Sequence, residues 1–241
     1  MRREIIVIVA ALFGVALTGS LGLWQLDRAA QKLALQAARD TRAGLPPLEA
    51  PLLARDAAGA ASQHFRRVAL SGRWIGERTV FLDNRPMDGK AGFIVVTPLL
   101  LDDGKAVLVQ RGWLPRDFVD RTVLPRVPTP SGRIAIQGVV APRLPRLFEF
   151  SAAASGPIRQ NLDISSFASE FGLDLLPVSV VQRDGPEGPG SATDGLQRHW
   201  PAPATDVHRH HGYAFQWFAL AAVIIVLYAW HRLIRPRFRR S

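Results

Sequence analysis

Residues 213–230 read YAFQWFALAAVIIVLYAW, eighteen positions with one clear polar intruder, Gln216. At about 1.5 Å of rise per residue, such a run approaches the ~30 Å hydrocarbon thickness of a bilayer. Read as a spanning helix over 210–231, it decides how the rest of the chain must be arranged. A second run of the same kind stands at the other end. Ile5 to Trp24 contains no charge, and only Thr18 and Ser20 interrupt it as polar residues. The basic start at Arg2 and Arg3 also fits a secretory signal peptide. The run is long for that role, and helical patterning continues past Trp24 to about residue 42, before Gly44-Leu45-Pro46-Pro47. A retained first helix over 5–24, projecting onward to about 42, is the better reading.

Basic residues orient the two helices. Arg2 and Arg3 precede the first, and Arg232, Arg235, Arg237, Arg239 and Arg240 follow the second. Both termini are therefore expected on the cytoplasmic side, with everything between the helices across the membrane. The formal net charge is +10. The two tails supply +6 of it, and the middle of the chain holds 23 basic against 19 acidic residues. The basic excess is thus mostly topological. It predicts a lipid surface as partner and no nucleic acid. The absence of cysteine excludes disulfides, thiolate metal sites and cysteine nucleophiles.

Between the helices the periodicity changes. "FRRVALSGRWIGERTVFLDNR" alternates and is rich in β-branched and aromatic residues, which predicts two strands around Gly76. "PMDGKAG" is a turn. "FIVVTPLLL" is a strand in which Pro98 suggests an edge or a bulge, and "DDGK" turns it into "AVLVQRGWLP". "GRIAIQGVV" and "LPVSVVQRD" are two further strands. "DISSFASEFG" is a short helix with Asp163 as its N-cap and Gly172 as its stop. Gly/Pro-rich residues 185–209 read as a linker. The fold class expected is a membrane protein: two transmembrane α-helices bracketing a β-rich, antiparallel extracytoplasmic domain over 60–184, barrel- or sandwich-like, with a minor helix.

No enzyme constellation is present: there is no GxSxG, no HExxH and no phosphate loop. The histidines are more informative. His199, His208, His210 and His211 all precede the second helix. A helix beginning near His210 lines up His210, Tyr213, Ala214, Trp217 and Ala221 on one face and turns His211 away. At the same depth the first helix ends with Trp24, Gln25 and Arg28. Gly14, Thr18 and Gly22 recur every fourth residue, a row suited to close helix packing. Two readings of this end stay open. One is an interfacial belt of aromatic and imidazole anchors. The other is a niche for an amphiphilic planar cofactor such as haem, with iron on an imidazole and propionates on arginine. A Cu(I)-handling role is disfavoured by the lack of cysteine and the presence of only two methionines.

"LGLWQLDRAAQK", "ERTVFLDNRPMDGKAGFIVVTPL", "VLVQRGWLP" and "HHGYAFQWFALA" together resemble the Surfeit locus protein 1 family, from about Gly14 to Arg232. The matching positions include Trp24, Gln25, Leu26, Arg28, Arg85, Gly92, Pro98, Arg111, Gly112 and Trp113. The resemblance implies a non-enzymatic, multi-pass assembly factor of the bacterial inner membrane, with its main domain in the periplasm. It implies partners, the cytochrome c oxidase catalytic subunit and other assembly factors, and a role in inserting haem a. A cofactor-free scaffold for the nascent subunit is the alternative. The family's histidine stands three residues before a tyrosine, which is His210 here. The resemblance thus implies His210 as the haem a axial ligand, with Trp24, Gln25, Arg28, Tyr213 and Trp217 around the cofactor and no metal beyond the haem iron. Trp113 is expected in the core or as an interface anchor.

Overall fold

The structure, a computed structural model, describes residues 2–117, 124–142, 144, 146–147, 156–183, 194–200 and 206–234. It divides into two compact units, one formed by 1–38 with 203–241 and the other by 39–202.

The first unit is a helix pair. Helix α1 runs Arg2–Ala43 without interruption, and its last turn belongs to the second unit. Its partner α4 spans Val207–Ala229 and ends in a π-helical turn, Trp230–Ile234. Both are long and apolar enough to cross a membrane, and only 11% of the most apolar window of each is buried. A helix in a soluble core would hide most of such a window. Here Ile6, Leu12, Phe13, Phe215, Val226 and Leu227 stand exposed.

The buried stripe of each helix follows the helical period. On α1 it runs Ala11, Gly14, Thr18, Gly22, Gln25, Ala29, and on α4 Val207, His210, Ala214, Trp217, Ala221, Ile224. The contacts pair low numbers with high ones: Glu4 with Arg232, Gly14 with Ile224, Gly22 with Phe218, Gln25 with His210. The helices are therefore antiparallel. Gly22 permits the close approach, since a Cβ there would sit 2.7 Å from the Phe218 ring. Thr18 returns its hydroxyl to the Gly14 carbonyl at 2.8 Å, so the apolar seam carries a satisfied donor.

The second unit is built on a seven-stranded sheet. Its strands are β1 (Arg67–Trp74), β2 (Val80–Leu82), β3 (Gly92–Leu100), β4 (Ala106–Pro115), β5 (Arg133–Ala141), β6 (Ile158–Arg159) and β7 (Leu175–Arg183). The order is β1-β5-β7-β4-β3-β2-β6, and β1 also meets β3. Among the described residues this unit carries the α-helices α2 (Ala57–Ser62) and α3 (Ile164–Phe171). Asp163 caps α3 by accepting from the Ser166 amide, and Gly172 closes it in the left-handed conformation.

The sheet is mixed, which corrects the antiparallel expectation: β4–β7 and β2–β6 are parallel. There is a topological reason. The pairings β1-β5-β7-β4-β3 return to β1, and a circuit of five strands cannot alternate direction at every step. One neighbouring pair must be parallel, and β7, reached through the crossover that contains α3, supplies it. The return contact is two residue pairs, Arg73 with Leu100 and Trp74 with Leu99, against seven for β1–β5.

Pro98 meets the edge expected for it only locally. It lies inside β3, and the register shift falls between Val95 and Val96. On its far side β2 has ended and β1 pairs only from Leu99, so no neighbouring strand requires the missing N–H. The unbroken apolar runs of β3 and β4 are buried on both faces. Val107 and Val109 join one cluster with Leu70 and Val180, while Leu108 joins another with Ile94, Val96 and Phe167.

Both ends of this unit extend beyond the 60–184 read from sequence. Leu48 bridges to Val68, and Leu48 and Leu53 are buried in the core. Residues 194–200, inside the expected linker, cross the end of β4. Trp113 and Gln197 exchange both backbone hydrogen bonds at 2.7 Å. Leu196 and Arg198 are buried, and Trp200 Nε1 donates to the Gln182 carbonyl. Gly112 makes room for this strap: a Cβ would stand 2.6 Å from that of Leu196. Of the rest of the expected linker, 185–193 and 201–205 lie outside the described residues, while Asp206 is the N-cap of α4 and 207–209 form its start.

Candidate functional site at one end of the helix pair

The first turns of α4 present three histidines to three environments. The helical twist of about 100° per residue sends His208 and His211 to the exposed side and His210 toward α1, where it is half-buried. Its Nδ1 lies 2.7 Å from Oε1 of Gln25. The contact pairs a ring nitrogen with a side-chain amide, and the tautomer of His210 sets which group donates. One residue on from Gln25 in the buried stripe, Ala29 is small and fully buried; Val207 is buried at the corresponding level of α4.

The aromatic residues expected around His210 divide. Trp217 is half-buried on the helix seam, one turn beyond Ala214. Trp24 and Tyr213 are each about half exposed, at 53% and 51%, so they present ring surface outward rather than filling the seam. Arg28 is exposed, and its Nη1 donates to Gln31 at 3.0 Å; Gln31 in turn donates to Asp27. Arg28 is thus held along α1 itself and makes no contact with His210 in this structure. The contact between the helices here is one imidazole with one amide; Trp24 and Arg28 stand near Gln25 along α1, and Tyr213 follows His210 along α4. Among the described residues no three His, Asp or Glu side chains stand together as a metal-binding group.

The sheet positions that carried the resemblance are built into the framework. Trp113 is 1% exposed, and its Nε1 donates to the Arg85 carbonyl at 2.6 Å, so of the two roles expected for it the core is the one it occupies. Arg85 donates to the carbonyls of Asp83 and Gln160. Arg111 donates to Thr129 Oγ1, to the Pro128 carbonyl and to Asp194, with its guanidinium 4.8 Å from the Trp74 ring centroid. Burial lowers the pKa of both arginines, against the opposing influence of Asp83 on Arg85 and of Asp194 on Arg111.

Sequence reasoning missed the partners of Arg111. Asp194 also receives Arg198 at 2.6 Å, and Arg198 Nε donates to the Arg111 carbonyl at 2.7 Å. The available signal was the alternation Leu196, Arg198, Trp200, a short strand pattern overshadowed by the Gly/Pro-rich residues before it.

Comparison with known proteins agrees with this distribution of motifs. A SURF1-like protein of Rickettsia bellii is 25% identical over 86% of this chain and 83% of its own length. The cytochrome oxidase assembly protein SHY1 of Saccharomyces cerevisiae is 30% identical over 41% of this chain, and Surfeit locus protein 1 of Arabidopsis thaliana is 29% identical over 44%. The match spans only a quarter of the yeast protein and a third of the plant one. The family model described as SURF1 family matches residues 12–222, which takes in most of both helices and the sheet between them, and the chain belongs to that family.

Proposed function

We propose that this protein is a non-catalytic assembly factor for cytochrome c oxidase, acting in the membrane to bring haem a to the oxidase catalytic subunit. Family membership and the printed role of the yeast relative support the assembly function. The exposed apolar faces of α1 and α4 support a membrane location, because in water they would leave large apolar surface unburied. An antiparallel pair of spanning helices brings both termini to one side. The arginines of the two tails make that side the cytoplasm, with the sheet unit in the periplasm.

The observation that carries the haem reading is the Gln25–His210 hydrogen bond. With Nδ1 engaged, the neutral ring keeps Nε2 as its electron-pair donor, the donor type that haem iron takes from histidine. His210 would hold the iron. The exposed rings of Trp24 and Tyr213 offer apolar contact to a macrocycle, and Trp217 supports the seam below. Arg28 retains guanidinium donors beyond the one given to Gln31, a match for a propionate. Haem a, when bound, supplies the redox centre that the oxidase subunit requires; this chain's residues bind and orient it.

The test is the reduced absorption spectrum of the detergent-purified protein from cells that make haem a. Wild type is expected to show bound haem a, and His210→Ala to lose it. A haem-free wild type, together with an unchanged oxidase haem content in a deletion strain, would overturn the reading. A His210→Ala protein that still supports oxidase assembly fully would favour a cofactor-free scaffold.

A further inference from the structure

We infer that Gln25 is the positioning residue of this site: it fixes the tautomer of His210 so that Nε2 is the available electron-pair donor. The inference rests on the reading of His210 as an axial ligand. Its physical content lies in the haem-free protein.

A neutral imidazole carries one proton on either ring nitrogen, and only the other nitrogen can bind a metal. The carbonyl oxygen of Gln25 approaches Nδ1 at 2.7 Å from the opposite helix. With the oxygen so placed, a neutral ring that makes this bond carries its proton on Nδ1. The same bond fixes the ring plane and increases electron density at Nε2, as outer-shell acceptors do for metal-bound histidines.

The helix register explains why this residue and no neighbour does so. Gln25 follows Gly14, Thr18 and Gly22 along the stripe that faces α4. Trp24 is exposed, and Arg28, itself a donor-only group, is directed to Gln31. His211 and His208 lie off the seam and gain no such fixing. Gln25 therefore selects which imidazole of the cluster becomes a ligand, and which of its nitrogens.

The experiment uses the full chain in detergent, with nitrogen-15 in its histidines. NMR of the haem-free protein is expected to show one ring held as the Nδ1–H tautomer, and this signal to be absent in His210→Ala. Gln25→Leu is expected to abolish that preference and to weaken haem a binding by about 10- to 100-fold. Gln25→Glu keeps an acceptor at the position; it is expected to retain the tautomer and to lower the midpoint potential of bound haem. An Nε2–H ring assigned to His210 in wild type, by its loss in His210→Ala, or a His210 tautomer indifferent to Gln25→Leu, overturns the inference even if His210→Ala loses haem. Haem binding undiminished in His210→Ala overturns the ligand reading itself, and the positioning role with it, whatever the tautomer.

Discussion

In the sheet unit, two arginines with side chains 1–2% exposed converge on a single aspartate, Asp194; further donors go to backbone carbonyls and Thr129, and Arg111 Nε is buried without a hydrogen-bond partner among the described residues. In the helix pair, one half-buried imidazole meets one amide, and the ring nitrogen away from that bond stays available. Both regions contain polar groups singled out by the family resemblance. In the first, those groups are consumed by the framework. In the second, the proposed ligand makes one hydrogen bond to Gln25. The resemblance already set His210 apart from Arg111 and Trp113; the geometry adds that Arg111 and Trp113 are buried in the sheet unit while His210 meets a single amide on the helix seam.

The strongest way to break this contrast is Asp194→Ala. It leaves two buried guanidiniums without their carboxylate, and the loss of one partner from a buried ion network typically costs about 3–5 kcal/mol. Denaturant unfolding of the full chain should show a loss of that order, with the strap at 194–200 becoming sensitive to protease. A small effect on both would mean that the arginines are not held by the strap.

Gly112→Ala attacks the same strap through sterics. The added Cβ would contact Leu196 and the Gln197 carbonyl at 2.6 and 3.0 Å. Overpacking of this kind costs about 1–3 kcal/mol. The expected result is a lower unfolding midpoint and a weakened Trp113–Gln197 pairing, seen as faster amide exchange at those two residues.

Arg159 and Glu170 form a two-pronged ion pair at 2.6 and 2.7 Å, joining β6 to α3. The hydrogen bond from Arg159 lowers the Glu170 pKa. The folded state therefore holds the carboxylate more strongly than the unfolded chain does. Its contribution is complete above the ordinary glutamate value and is lost as pH falls through the lower folded value. Glu170 is partly solvent-exposed, so the pair is worth no more than about 1 kcal/mol. Glu170→Gln should flatten the acid limb of the stability–pH curve slightly and leave neutral-pH stability within that margin.

Gln25→Leu should have the smallest effect on stability. It replaces a half-buried amide by an apolar side chain of similar size, and the lost bond is worth about 1 kcal/mol or less in net terms. A chain whose unfolding is nearly unchanged while its haem affinity falls would sharpen the contrast between framework and site. A chain that loses several kcal/mol would place Gln25 with the framework.

Much of the local structure was legible because it follows from local rules. The two long helices come from uninterrupted apolar runs, and α3 from Asp163 and Gly172. The hairpin from β3 to β4 turns at Asp103-Gly104, and the split of His210 from His208 and His211 is the helical period itself. The parallel β4–β7 pair was not legible, because strand direction depends on the circuit and not on any strand's own residues. The edge at Pro98 is local and likewise depends on which neighbouring strand is absent beside it.

The sequence by itself determined the two apolar helices, the alternating strands and the face of α4 on which His210 lies, since each depends on periodicity within one segment. Tertiary structure alone decided that residues 194–200 close over Arg111 and that Gln25 meets Nδ1 of His210. Those contacts join residues 83 and 185 positions apart, and only the packing of whole elements brings them within hydrogen-bond reach.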